Sequence, residues 1–143
     1  MKIGLDLHGV ITDLPDLFKY IGESVIKNGG EIHIITGGSL EKAEEELQRL
    51  GYVKDKHFTI TFSILDHLEN IKALSTGTHP IMGNKEYPNV VWDSVKGWYC
   101  SQNNISLHID DSLIYSDYFE TRFARIWTKT NTPKINKPIR HLD

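Results

Sequence analysis

A single cysteine, Cys100, in 143 residues excludes an intramolecular disulfide and any zinc cage built on paired thiolates. A chain so poor in cysteine is expected in a reducing, cytoplasmic setting. Long apolar runs are missing as well. None approaches the roughly 18 residues of a membrane span, so no membrane association is expected. The N-terminus carries one basic residue and no apolar stretch after it, so no secretory signal is expected either. Neither sign of charge dominates. With a formal net charge of −3 there is no surplus of Lys and Arg to neutralise a phosphate backbone, although a local basic patch stays open.

What remains is ordinary globular material, 39% hydrophobic and 24% charged, of a length that fits one domain over residues 1–143. Short apolar runs alternate with amphipathic stretches. Residues 2–7 read as a strand. Residues 14–28 place Leu14, Leu17, Phe18, Ile21 and Val25 at helical spacing and end at Gly29-Gly30. A second strand spans 31–36, and a second helix, about 39–50, has Ser39 as N-cap, acids early, Arg49 late and Gly51 after it. Residues 57–62 alternate like a strand, and Ser63 with Asp66 resembles a capping box for a helix reaching about Leu74.

Residues 75–91, rich in Gly, Thr, Pro and Asn, read as the longest irregular segment. Asp93 then caps a helix that Gly97 weakens, 104–109 and 122–127 are strands, and residues 128–143 form an extended tail. Strands alternating with helices predict an α/β fold, a three-layer Rossmann-like parallel sheet with helices on both faces. Ligands in such folds gather beyond the carboxyl ends of the strands.

The residues at those ends form a pattern. Strand one ends at Asp6, strand two at Thr36, a late strand at Asp110 and Asp111, and Lys96 begins the helix leading into that late strand. Three carboxylates close together repel one another and call for a divalent cation. Oxygen-only ligands suit Mg²⁺, which keeps several waters and bridges to phosphate. Thr36 offers a hydroxyl, Gly37-Gly38 lead into a helix N-terminus that suits an anion, and Lys96 supplies fixed positive charge. Such a site holds a phosphoryl group beside a carboxylate nucleophile.

These motifs, DLHGVITD (6–13), IITGG (34–38) and KGWYCSQNNISLHIDDS (96–112), resemble those of the haloacid dehalogenase (HAD) superfamily in type and in order. The resemblance spans the chain and is similar in part to small, nucleotidase-like hydrolases. It implies Asp6 as nucleophile and metal ligand, the backbone carbonyl of His8 as a second ligand, and Asp111 as the direct acidic ligand with Asp110 close by. It further implies Thr36 and Gly37 at the phosphate, Lys96 offsetting its charge, and a turn-supporting role for Asp13. The implied substrate is a phosphorylated small molecule or a nucleic-acid end.

The chain departs from the family pattern at one position. Phosphatases of the superfamily carry an Asp two residues after the nucleophile, as acid and then base; this chain has His8. P-type ATPases place Thr there and phosphonatases Ala, so phosphoenzyme formation tolerates the change. A degenerate domain that binds metal, phosphate or a partner without turnover is the alternative reading. A response-regulator receiver is disfavoured, because its acidic pair follows strand one, whereas here the pair comes late. No cap domain is expected, which leaves an open pocket unless a second subunit covers it. Lys85 is the rival of Lys96. His33, His57, His67, His79, His108 and His141 show no ligand spacing and read as surface or half-buried residues, and Trp92, Trp98 and Trp127 as core or loop anchors.

Overall fold

A computed structural model describes residues 1–127. The tail expected over 128–143, His141 included, lies outside them. Five parallel strands form the sheet: β1 (Lys2–Leu5), β2 (Glu31–Thr36), β3 (Ile60–Ser63), β6 (Leu107–Asp110) and β7 (Arg122–Arg125), in spatial order β3-β2-β1-β6-β7. Two short strands, β4 (Gly77–Thr78) and β5 (Lys85–Glu86), make a separate antiparallel hairpin. The helices are α1 (Pro15–Lys27), α2 (Leu40–Arg49), α3 (Ile64–Asn70) and α4 (Asn89–Gln102), with a 3₁₀ segment at Leu113–Tyr118. The expected α/β architecture is therefore present.

The side chains of each strand alternate between the two faces, and both faces are covered. Ile3, Leu5, Ile32 and Ile34 pack with Phe18 of α1 and with Ala43 and Leu47 of α2. Ile35, on the opposite face of β2, meets Tyr99 and Cys100 of α4, beside which Ile64 and Leu68 of α3 pack on Val95. The sheet is thus buried on both sides, as parallel sheets require. The chain leaves central β1 for β2 and returns only later to β6 on its other flank. The order reverses between β1 and β6, the switch point beyond whose carboxyl ends ligands gather in such folds.

Several boundaries differ from the sequence reading. β1 stops at Leu5, one residue short of Asp6. β3 begins at Ile60 because the Nδ1 of His57 accepts from Val53 N at 2.9 Å, which spends that stretch on a turn. Ser63 does accept from Asp66 N, but the Asp66 carboxylate turns away to Leu40 N at 3.2 Å, and α3 ends at Asn70 rather than Leu74. Residues 75–91 are not wholly irregular: they hold the β4–β5 hairpin and the first turn of α4, whose N-cap is Pro88, so Asp93 lies inside the helix. β6 starts only at Leu107, and β7 ends at Arg125.

Gly97 is required rather than merely tolerated, since a side chain there would collide with the Tyr118 carbonyl where the 3₁₀ segment crosses α4. His33, His57 and His108 are buried, contrary to their reading as surface or half-buried residues. Of the tryptophans, Trp92 packs on the α3–α4 cluster, whereas Trp98 and Trp127 are about half exposed. Among the described residues, no helix is long and apolar enough to cross a membrane.

Candidate functional site

Asp6 leaves β1 with its amide still donating to Ile109 O of β6 at 2.9 Å, so its backbone continues the ladder while its carboxylate lies beside those of Asp110 and Asp111. The chain then turns sharply over Leu7–Ile11. His8 is extended (φ −79°, ψ 129°), Gly9 is left-handed (φ 80°), Thr12 N closes onto Leu7 O at 3.0 Å, and Gly9 N donates to Thr12 Oγ1 at 3.0 Å. Gly9 is needed twice over: its φ disfavours any side chain, and a Cβ there would clash with the Asp111 carboxylate. Asp13 accepts from the Thr12 hydroxyl at 3.4 Å, beside the turn.

Lys96 is the hub. The ammonium, wholly buried on α4, donates to Asp6 Oδ1 at 3.0 Å and to Asp110 Oδ2 at 2.7 Å, and lies 4.3 Å from the centre of the Tyr115 ring. Its rival Lys85 sits exposed on β5. Burial disfavours charge on Lys96, but Asp6 and Asp110 outweigh it and hold the amine above the ordinary lysine value. Carboxylate oxygens of Asp6, Asp110 and Asp111 lie within 4.8 Å of one another.

The three acids differ in character. Asp110 is fully buried and well supplied with donors: Lys96 and His108 Nε2 (2.9 Å) share Oδ2, and Ser112 N reaches Oδ1 at 3.0 Å. Burial opposes its ionisation, yet the His108 bond and the Lys96 charge prevail and hold it down at about 2. Asp6 goes the other way. Burial, with repulsion from Asp110 and Asp111, overcomes Lys96 and pushes it up to about 7. Asp111 is half-buried, and its carbonyl accepts from Arg125 Nε at 3.0 Å.

This donor set fits a hard divalent cation. It is all oxygen, it pairs one fixed ammonium with three carboxylates, and it holds a buried acid, Asp6, whose ionisation a further positive charge would favour. Asp6 and Asp111 have oxygens to give, whereas both oxygens of Asp110 are already in use.

Thr36 is buried at the end of β2, paired in register with Ser63, and Gly37 follows it. The α2 N-terminus is only partly open to an anion, because Asp66 already takes Leu40 N and Ser39 Oγ accepts from Lys42 N at 3.3 Å. His8 is exposed. The sequence reading missed His108. It lies fully buried under Asp110, is stacked on Phe119 at 5.3 Å, and is held below the ordinary imidazole value by burial. The available signal was Gly4, its register partner: a Cβ there would come within 2.7 Å of His108 Nδ1.

No protein-family model matches this sequence, and a comparison with curated proteins finds no match.

Proposed function

We propose that this chain is a Mg²⁺-dependent phosphohydrolase of HAD type, acting through an aspartyl phosphate on Asp6. The observation that carries the reading is the Asp6–Lys96–Asp110 chain of hydrogen bonds, with Asp111 beside it, at the β1/β6 switch point. Asp6, Asp111 and the carbonyl of His8 would hold the cation, with Asp110 next to them. When bound, the cation offsets negative charge on the phosphoryl oxygens.

In this reading Asp6 attacks phosphorus, the bond from phosphorus to the leaving oxygen breaks, and Lys96 neutralises charge on the transferred group. Thr36 and Gly37 orient a phosphoryl oxygen. His8 gives a proton to the leaving oxygen and then takes one from the water that cleaves the aspartyl phosphate, for which an imidazole is chemically suited. Phosphoryl transfer depends chiefly on positioning and electrostatics, and the buried ion pairs supply both.

The exposure of His8, at the position where the family pattern carries an Asp, favours a second reading, a binding domain without turnover. A phosphatase screen with Mg²⁺ over nucleotides, sugar phosphates and phosphorylated DNA ends, beside Asp6→Asn, separates the two. Turnover lost in Asp6→Asn supports the hydrolase. A silent wild type with an active His8→Asp variant supports the binding domain.

A further inference from the structure

We propose that the cleft between the β4–β5 hairpin and the β2–α2 loop binds a flat aromatic ring on the leaving group, so that the substrates are aryl-type phosphomonoesters. This rests on the phosphohydrolase reading for its orientation and on the cleft itself for its chemistry. The cleft, about 480 Å³, is floored by Gly37 and Gly38. Those glycines directly follow Thr36, on the strand beside β1, so a phosphoryl group at Asp6 and a ring over Gly38 are neighbours along one strand-end rim.

Three large apolar side chains line the cleft, beside Ser39, Lys42 and Asn84. Leu65 and Trp92 come from the main body, and Met82 comes from the hairpin. The Trp92 ring lies over Gly37, 3.1 Å from where a Cβ would stand, while nothing lies within 4 Å of the corresponding point at Gly38. The floor is thus covered at one glycine and open at the next. Lys42 stands at the rim, and no carboxylate lines the cleft, so an anionic ligand meets no opposing charge there.

The hairpin is built to hold Met82 in place. His79 Nδ1 accepts from Ile81 N at 3.2 Å and Met82 N at 3.0 Å, and Gly83 N closes the turn onto His79 O at 3.0 Å. Tyr87, buried against α3 and α4, anchors the hairpin base. Met82 is nevertheless 62% exposed. The cleft thus offers both a thioether and an indole beside the open floor at Gly38, and each gives favourable contacts with aromatic rings.

Calorimetry in Mg²⁺ with phenylphosphonate and methylphosphonate tests the cleft without requiring turnover. Phenylphosphonate should bind about tenfold more tightly, and Trp92→Ala and Met82→Asp should each remove most of that preference, while Trp98→Ala keeps it. Met82→Asp alters an exposed tip, so it reports even if Trp92→Ala fails to fold. Equal affinity for the two phosphonates in the wild type, or an undiminished preference in Met82→Asp, overturns the proposal. If the preference behaves as expected but phenyl phosphate is not hydrolysed, the cleft stands and the hydrolase reading falls. If phenyl and methyl phosphates are hydrolysed with equal kcat/KM and the phosphonates bind alike, the hydrolase stands and the cleft falls.

Discussion

His108 Nε2 donates, at 2.9 Å, to the same Asp110 oxygen that receives Lys96. Asp110 is thereby fixed as a brace that aims the ammonium at Asp6. Replacing His108 with Leu leaves a buried carboxylate one donor short, which costs about 1–3 kcal/mol. Urea unfolding at pH 7 should show that loss, and a variant as stable as wild type would mean that the bond contributes nothing.

Gly4→Ala should destabilise by roughly 1–3 kcal/mol, the usual scale for overpacking, because the new methyl meets His108 Nδ1 and Ile35 Cδ1. Adding His108→Ala should recover part of it. A double-mutant cycle with no coupling would place the strain elsewhere.

Millimolar Mg²⁺ should raise the thermal midpoint of the wild type, and Asp6→Asn with Asp111→Asn should abolish the shift. Asp110→Asn is expected to be the more destabilising single change without the metal, because it weakens both the Lys96 and His108 bonds. An equal shift in wild type and the double variant would put the cation at another place.

Burial lowers the imidazole values of His33, His57 and His108. The unfolded chain then binds more protons than the folded one as pH falls below about 6.5, so the stability these groups contribute is present above that pH and is lost on acidification. These histidines should lower the denaturant midpoint from pH 7 to pH 5, against Asp6, which is raised to about 7 and favours the folded state on acidification. The fall should be smaller in His33→Gln, which keeps a polar group near the Tyr99 hydroxyl, 2.7 Å from His33 Nδ1.

His8→Ala should lower kcat by about 10²–10⁴ if the imidazole moves the proton, the usual range for general acid–base catalysis. Steady-state rates on any substrate the wild type turns over decide this, and an unchanged kcat would remove His8 from the chemistry.

Much of this was legible from residues 31–36, whose apolar run was read to its true ends, and from the placing of Asp6, Thr36 and Asp110 at strand termini. β3 and β6 start later than the pattern suggests because His57 spends the stretch before β3 on a turn, and Asn104, left-handed at φ 54°, with Ile105 N bonded to Cys100 O, closes α4 just before β6. α4 was read late because Asp93 resembles a cap, although Pro88, with its fixed φ, marks the true start. The partner of Asp66 could not be read locally, since it lies 26 residues away at Leu40. His108 acquires its meaning only once Gly4 is known to stand beside it.

The contacts that cross from α3 to the β2–α2 loop bear on local opening. Ser63 Oγ donates to Gly38 O at 2.6 Å while Asp66 holds Leu40 N, so the loop after Thr36 is stitched at two points to the start of a different helix. That loop cannot fray alone. In native-state hydrogen exchange the Leu40 amide should exchange together with the first turn of α3, as one cooperative unit, rather than at the rate of an exposed helix end. Ser63→Ala should free both at once.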